Sequence, residues 1–314
     1  MNTKLKYRFK VTLLLLVLQS GITWAQREAQ FTQYMYNTTI INPAYAGSRG
    51  MTSIFGGYRA QWIGLDGAPS TGAFSIHAPV REDSKVGLGL SFINDRIGPS
   101  DLNSISVDFS YKIDFGYGYD NHLSFGLKGT ADLYNVDYSK LNIRDDDPRF
   151  RYNIEDRFSP NIGAGVYVYG DKYYAGLSIP NFLETKFYEG NSQSIVLDKV
   201  SYYVMGGYVF DLSESLRLKP TMLTKVVAGS PLQVDLSTNM IVHDKISFGV
   251  AYRWDAAISA MAGFQITDSF FFGYSYDADT KNLGDYNSGS HEVFLRFEII
   301  NNRNLGKIMS PRFF

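Results

Sequence analysis

Short segments in which apolar and polar residues alternate recur along the chain from residue 51 onward. The stretch SISVDFSYKID, residues 104–114, places its apolar side chains on one face of a strand and its Ser, Asp and Lys side chains on the other. This pattern predicts β-strands with one apolar and one polar face. About fourteen such segments are present: 51–62, 70–79, 85–96, 101–114, 121–138, 160–169, 173–180, 200–212, 215–227, 232–242, 245–253, 256–266, 269–277 and 290–299.

The amino-acid composition agrees with an all-β chain. The sequence contains 23 Tyr, 22 Phe and 29 Gly, whereas charged residues make up only 19%. Tyr and Phe are enriched in strands. A formal net charge of -1 provides no electrostatic attraction for nucleic acid, so we expect no nucleic-acid partner. The absence of cysteine excludes disulfides and an acylated lipoprotein cysteine.

Alternation alone would fit either a soluble β-sandwich or a membrane-spanning β-barrel. The lengths of the connections decide between these two folds. Some are very short, namely GDK (170–172), HDK (243–245) and TDS (267–269), whereas intervening ones include Ser139–Ser159 and Asn181–Lys199. Outer-membrane β-barrels have this asymmetry, with short periplasmic turns and long extracellular loops. The sequence therefore predicts a transmembrane antiparallel up-and-down β-barrel of about 14 strands. An even strand number predicts that both termini are periplasmic.

The first 25 residues have the pattern of a secretory signal peptide. Basic residues precede an apolar run from Val11 to Leu18, and small residues follow at Thr23 and Ala25. The run is too short for a transmembrane helix, which needs about 20 residues. We expect a signal peptide over 1–25, a periplasmic or lumenal segment over 26–50, a barrel over 51–299 and a periplasmic tail over 300–314.

The polar face of the predicted strands carries charges of both signs. We expect a solvated lumen of paired charges, in which a lysine at Ser110 would be tolerated. A solute selectivity filter would be favoured by one dominant sign. Pro220 removes a ladder hydrogen bond, so a bulge or strand end is expected there. The charged residues predicted to face the lumen are Asp108, Lys112, Asp114, Lys128, Asp132, Arg217, Lys219, Lys225, Asp235, Arg296 and Glu298.

No motif in the sequence indicates catalysis or metal binding. The acidic run Asp145–Asp147 lacks the spacing of a helix-loop-helix calcium site and indicates a solvated loop. Ser290 and His291 are adjacent, and adjacent strand residues face opposite ways, which argues against a hydrolase dyad. We therefore predict no catalytic residue, no metal and no cofactor. Five aromatic residues are expected in belts at the membrane interfaces rather than in a binding site: Trp62, Tyr202, Tyr203, Tyr208 and Trp254.

Several sequence blocks together resemble the PorP/SprF family of type IX secretion outer-membrane proteins. They include QFTQYMYN…INPAYAGSRG, YRAQWIGLDGAPSTGAFSIHAP, FSPNIGAGVYVY…YYAGLSIPNFL, ISFGVAYRWDAAISAMAGFQI, YNSGSHEVFLRF and the terminal SPRFF. The resemblance implies a non-enzymatic outer-membrane barrel of Bacteroidota, which acts in type IX secretion and, in some members, gliding motility. It also implies secretion or surface retention of an adhesin with a C-terminal sorting domain. Some members work with periplasmic components that touch peptidoglycan.

The segment from Gln30 to Gly47 shows neither helix nor strand periodicity. Because it precedes the first strand, we expect it to start in the periplasm. Pro43 interrupts any regular ladder. We predict that the segment enters the periplasmic mouth or lumen as a partial plug, or binds a periplasmic partner; the alternative is a flexible leader. The residues assigned to this role are Phe31, Gln33, Tyr34, Tyr36, Asn37, Asn42, Pro43 and Tyr45.

Long loops at one end of the barrel combine aromatic residues with both charges. Aromatic and Arg residues are common anchors of protein interfaces, so these loops are candidate partner-binding surfaces; the alternative is ordinary packing over the barrel mouth. The expected partners are a secreted adhesin with a C-terminal sorting domain, a periplasmic type IX secretion or peptidoglycan-linked component, and outer-membrane lipid. A diffusion pore or small-solute transporter is the alternative function, and a lipid-modifying enzyme is a third. The candidate partner-binding residues are Arg149, Phe150, Arg151, Tyr152, Arg157, Phe158, Phe187, Tyr188 and Tyr286.

Overall fold

A computed structural model describes residues 29–81, 84–116, 121–141, 152–186 and 197–300. The predicted signal peptide and C-terminal tail, apart from residue 300, lie outside the described residues. No helix in these ranges is long and apolar enough to cross a bilayer.

Fourteen strands form the wall of the barrel. They are β1 (Thr52–Ala60), β2 (Ser70–Pro79), β3 (Val86–Ile97), β4 (Ser100–Phe115), β5 (Asn121–Val136), β6 (Ile154–Tyr169), β7 (Tyr173–Ile179), β8 (Ser201–Tyr208, continued by Phe210–Ser213), β9 (Leu216–Val227), β10 (Gln233–Val242), β11 (Ile246–Arg253), β12 (Ala257–Thr267), β13 (Phe270–Asp279) and β14 (Ser290–Ile299). Two further strands, Thr185–Lys186 and Leu197–Asp198, pair with each other in the β7–β8 connection.

Helical turns lie before the wall and in two of its connections. The N-terminal segment contains Tyr34–Tyr36 (3-10), Thr38–Ile41 (α) and Pro43–Tyr45 (3-10). The connections contain the 3-10 turns Tyr138–Lys140 and Asn282–Tyr286.

Each strand pairs antiparallel with its neighbours in sequence, and the sheet closes on itself. Thr52 of β1 pairs with Ile299 of β14, which joins the first strand to the last. β8 pairs with both β7 and β9, which completes the ring. Closure removes exposed sheet edges. The predicted all-β antiparallel barrel of about 14 strands is confirmed.

Strand β6 starts earlier than the sequence predicts. It begins at Ile154 rather than at residue 160, and Pro160 lies within it opposite Ala131. β7 pairs with β6 only between Ala164 and Tyr169, so the proline lies where β6 has no β7 residue beside it. A proline is compatible with a strand at such an unpaired position.

Pro220 is accommodated in a way that the sequence does not predict. β9 runs through Pro220 without a bulge or an end, and Pro220 pairs in register with Thr238. The interruption lies instead in the neighbouring β8, between Tyr208 and Phe210. There the Val209 N–H donates to the Lys172 carbonyl at 2.7 Å.

The two faces of the wall have opposite chemistry. On β4, Val107 and Phe109 are exposed on the outer face, whereas the alternating residues Ser106, Asp108 and Ser110 are buried in the lumen. Lys112, Asp114 and Arg217 are half-buried on the same polar face. The remaining charges predicted by parity to face inward are buried: Asp108, Lys128, Asp132, Lys219, Lys225, Asp235, Arg296 and Glu298.

The prediction of a position in the membrane-interface belt is wrong for one residue, Tyr203. Tyr202 and Tyr208 are exposed on the outer face, and Trp254 is exposed in the β11–β12 turn, but Tyr203 is buried in the lumen. Tyr202 and Tyr203 are adjacent on β8, so they must face opposite sides of the wall. Trp62 is half-buried in the β1–β2 connection.

The connections differ in length at the two ends of the barrel. At one end, here called the short-turn mouth, they are residues 80–85, 116–120, 170–172, 214–215, 243–245 and 268–269. At the other end, the long-loop mouth, they are residues 61–69, 98–99, 137–153, 180–200, 228–232, 254–256 and 280–289. The 98–99 and 254–256 connections are as short as the turns at the opposite mouth.

Candidate functional site

The N-terminal segment, residues 29–51, crosses the lumen from one mouth to the other. Gln30 lies at the long-loop mouth, where its Nε2 donates to Oε1 of Gln233, the first residue of β10, at 3.2 Å. Met51 precedes β1 at the short-turn mouth. The expectation that the segment starts on the side where β1 starts is therefore wrong. Sequence order shows that the segment precedes β1 but does not show the direction in which it crosses.

A buried charge cluster, the outer node, holds the segment near the long-loop mouth. Arg59 lies 2.6 Å from Asp277 and 3.0 Å from Glu292 through its two Nη atoms. The backbone N–H groups of Thr32 and Gln33 donate to Glu292 at 2.8 and 3.1 Å. The Thr32 hydroxyl donates to Asp277 at 2.6 Å and accepts from Arg59 at 2.9 Å. Wall charges thus bind the segment backbone directly.

The three charged residues of the outer node do not appear among the sequence-predicted lumenal charges. Arg59, Asp277 and Glu292 all occupy inward positions of their strands. Strict application of the two-residue period to β1, β13 and β14 would have found them. Their contact with Thr32 and Gln33 has no comparable sequence signal.

Aromatic packing holds the middle of the segment. The Tyr36 ring stacks on Phe271 at a centroid distance of 5.3 Å and lies 4.8 Å from Phe294. The Tyr34 hydroxyl and the Thr221 hydroxyl are 3.0 Å apart. Both tyrosines are buried. The lumen therefore contains a hydrophobic core as well as the predicted paired charges.

Asn42 attaches the segment to the wall at the β6–β7 pair. Its Nδ2 donates to the carbonyl of Val166 at 3.0 Å and to that of Leu177 at 3.4 Å. A Cβ at Gly165 would lie 2.1 Å from Asn42 Oδ1, and one at Gly176 would lie 2.8 Å from Asn42 Nδ2. The amide fits because both wall positions lack a side chain.

Two more wall glycines admit the segment backbone after Asn42. A Cβ at Gly126 would lie 2.1 Å from the Ala44 nitrogen, and one at Gly87 would lie 2.3 Å from the Ala46 carbonyl oxygen. The Ser110 hydroxyl donates to the same Ala46 oxygen at 2.6 Å. Together, Gly87, Gly126, Gly165 and Gly176 form what we call the glycine trough. Its glycines are needed because real Cβ atoms do not approach other atoms this closely.

A second charge cluster, the inner node, lies near the short-turn mouth. Arg49 forms a buried ion pair with Glu298, and Arg296 Nε lies 3.6 Å from the same carboxylate. The Gly47 N–H donates to Nδ1 of His77 at 3.2 Å, with Gly47 in the left-handed region at φ 73°. The segment is thus bound by charged groups at both ends.

All eight N-terminal residues singled out in the sequence lie within the barrel. Phe31 is half-buried, and the other seven are buried. Pro43 begins the 3-10 turn Pro43–Tyr45, which is capped when the Ala44 N–H donates to the Asn42 side chain at 3.0 Å.

Open space in the lumen lies toward the long-loop mouth. A cavity of about 130 Å³ lies beside Phe31 and Ile41 and reaches Asp132 and Asp235. A second cavity, of about 610 Å³, lies at the mouth above Arg59.

The predicted partner-binding residues do not gather into one described surface. Tyr152 and Tyr286 are exposed in different loops, and Arg157 is half-buried on β6. Phe158 is exposed on the outer face of β6, within the strand rather than at a loop tip. Five residues lie outside the described ranges: Arg149, Phe150, Arg151, Phe187 and Tyr188.

Asp137 fixes the start of the β5–β6 loop. It accepts hydrogen bonds from the Ser139 hydroxyl at 2.6 Å and from the Ser139 N–H at 3.1 Å. The Asn153 side chain donates to the same oxygen at 3.3 Å. These hydrogen bonds lower the pKa of the exposed Asp137 carboxyl, and the bond from the Ser139 hydroxyl has the largest effect. The two ends of the loop are therefore tied together.

Ser290 and His291 do not form a dyad. Ser290 is buried on the lumenal face and its hydroxyl accepts from the Trp62 N–H at 3.2 Å, whereas His291 Nδ1 lies 2.7 Å from the Tyr274 hydroxyl. Across the described ranges, no group of three or more His, Asp or Glu residues is placed to hold a metal ion.

Comparison with solved structures finds outer-membrane barrels of low sequence identity. The CymD monoaromatic hydrocarbon channel matches with a TM-score of 0.50 and 10% identity, covering 88% of this chain and 95% of that one. A FadL homologue from Pseudomonas aeruginosa matches with a TM-score of 0.46 and 11% identity, covering 88% and 96%. The KdgM porin matches with a TM-score of 0.41 and 9% identity, covering 79% and 99%. At these identities the likeness concerns the fold alone.

A comparison with curated proteins finds no match. The family model for the type IX secretion system membrane protein PorP/SprF matches residues 23–297. That range includes the described N-terminal segment and nearly all of the wall, so the chain belongs to the PorP/SprF family of type IX secretion system membrane proteins.

Proposed function

We propose that this protein is a plugged, non-enzymatic docking platform of the outer membrane. In this proposal, the long-loop mouth faces outward and holds an exported adhesin through its C-terminal sorting domain. The short-turn mouth faces the periplasm and contacts a type IX secretion component or one linked to peptidoglycan. A role in gliding motility would follow if the adhesin moves along the cell surface.

The observation that carries the proposal is the N-terminal segment in the lumen. Charged nodes hold it at both ends, and the glycine trough receives its backbone between them. A diffusion pore needs an open lumen, whereas an anchoring platform needs a rigid wall and a stable surface. The close fit between the segment and the wall supports the anchoring platform rather than the diffusion pore.

Conductance measurements separate these two functions. The purified barrel with an intact N-terminus should show little steady conductance in a planar bilayer. A steady, large conductance from the intact protein would favour the diffusion pore or small-solute transporter.

Partner recovery tests the anchoring role. Extraction in mild detergent from cells with a complete secretion system should recover a larger secreted adhesin together with the barrel. Replacement of residues 149–152 by a Gly/Ser linker, which leaves Asn153 and strand β6 unchanged, should release the adhesin while the barrel remains folded. Repeated isolation of the intact barrel alone would contradict anchoring.

Accessibility on intact cells tests the orientation. Tags inserted near Asp146 or Ser192 should be reached from outside, whereas a tag at Asp244 should not. A cysteine in place of Gln30 should also be labelled from outside, because Gln30 lies at the long-loop mouth. Labelling at Asp244 but not at Asp146 would reverse the proposed orientation.

A further inference from the structure

A concave site lies on the outer face of the wall, across β5, β6 and β7. Ala164 forms its floor. In one cross-strand row, Ala164 lies between Leu127 and Ile179. In the next row, Val166 lies between Phe125 and Leu177. A single methyl group between large apolar side chains leaves a depression, which we call the Ala164 groove.

The path of the chain after β7 deepens this groove. β7 ends at Ile179 after only seven residues. The chain then passes close to the inward side of β6, since a Cβ at Gly163 would lie 2.1 Å from the Pro180 carbonyl oxygen. It returns at Phe182, whose N–H donates to the Ile162 carbonyl at 2.8 Å. The half-exposed Phe182 ring therefore bounds one end of the groove.

The lining of the groove indicates the chemistry of its occupant. No described residue that lines it is charged. A charged head group would have no ionic partner there, whereas a hydrocarbon chain would bury apolar surface on both sides. An aqueous protein partner cannot reach this face of a transmembrane barrel.

We propose that the Ala164 groove binds one acyl chain of an outer-membrane phospholipid. Ala164 lies five positions from Tyr169, the last residue of β6 at the short-turn mouth. With that mouth on the periplasmic side, as proposed above, the groove lies in the inner leaflet, which contains the phospholipids. The bound chain fills the depression and supports β7, the shortest continuous strand of the described wall.

Substitution of the floor tests the site against a matched control. Ala164→Phe fills the groove, whereas Ala278→Phe adds the same ring to an exposed outward alanine on β13 that has a paired neighbour, Ile258, on one side only. Phospholipid that remains with the full-length barrel after detergent washing is measured by mass spectrometry. We expect Ala164→Phe to lower it about tenfold, as for displacement of about two buried methylene groups. Ala278→Phe should leave it unchanged.

Photo-crosslinking identifies which lipid supplies the bound acyl chain. It also tests the site if Ala164→Phe folds poorly. Cells are fed a fatty acid with a diazirine near its end, which enters their phospholipids, and are then irradiated. Adducts on the wild-type barrel should concentrate on Leu127, Leu177 and Phe182.

Three crosslinking outcomes would overturn the proposal. These are adducts spread evenly over the outer face, adducts from an acylated lipoprotein, and a barrel–barrel product at the groove that indicates a second copy. Equal lipid retention in both folded variants would also overturn it. Because these measurements involve no adhesin, failure of the groove would leave the anchoring proposal untouched.

Discussion

The two halves of the N-terminal segment are held in different ways. Residues 30–36 are held by charges, hydroxyls and aromatic rings, beside cavities of about 130 and 610 Å³. In the inner half, residues 37–50, the chain from Asn42 to Ala46 lies in the glycine trough, where its backbone and the Asn42 amide contact wall positions that have no side chain, and Arg49 adds the ion pair of the inner node. Polar contacts can be lost one at a time, whereas the close contacts between the segment and the wall glycines must all be satisfied together. The inner half therefore defines the position of the segment, whereas the contacts of the outer half can be removed individually.

Deletion of residues 30–47 tests both halves together and should have the largest effect. The wall should still form a heat-modifiable barrel, because its ladder begins at Thr52 and closes without the segment. The lumen should change from closed to conducting, which planar bilayer recordings would detect. Loss of the folded barrel would show that the segment is required for the fold of the wall.

Arg59→Met should be the most damaging single change in the outer half. It removes the buried cation between Asp277 and Glu292, and breaking a buried ion pair in this way costs about 3–5 kcal/mol. The midpoint of urea unfolding, followed by heat-modifiability, measures the loss. Arg96→Met is the control, because the Arg96–Asp101 pair is largely exposed and such pairs contribute about 0–1 kcal/mol. Similar midpoints for both variants would mean that the outer node adds little stability.

Gly126→Val tests the trough in the inner half. Its Cβ would lie 2.1 Å from the Ala44 nitrogen, and overpacking of this kind costs about 1–3 kcal/mol. Gly129→Val is a control on the same strand, since a Cβ there has no described atom within 4 Å. We expect Gly126→Val to raise bilayer conductance by displacing the segment, whereas Gly129→Val should not. Equal behaviour of the two variants would contradict the assignment of the trough.

The sequence predicts the wall much better than it predicts the segment. Strand parity follows from the two-residue period, so the faces of β4 and most lumenal charges could be predicted. Contacts between the segment and the wall have no such period. Parity placed Ser110 in the lumen, but it could not show that its hydroxyl binds the Ala46 carbonyl, so a lysine at Ser110 is not expected to fit. The hydrogen bonds from Asn42 to carbonyls of β6 and β7 likewise depend on the path of the segment.

The smallest expected effects concern two buried hydroxyls of the segment, that of Thr32 in the outer half and that of Thr39 near the middle. Thr32→Val removes a hydroxyl that donates to Asp277 and accepts from Arg59. We expect a loss of about 1.5 kcal/mol, the lower end for a hydrogen bond to a charged group, because Arg59 still pairs with both carboxylates. Thr39→Val makes the same isosteric change at a hydroxyl that is buried and has no hydrogen-bond partner among the described residues. Its removal should be neutral or slightly stabilising, because burial of an unpaired polar group costs free energy. Urea midpoints of the two variants provide the comparison. A larger loss for Thr39→Val than for Thr32→Val would show that polar contacts do not hold the outer half in place.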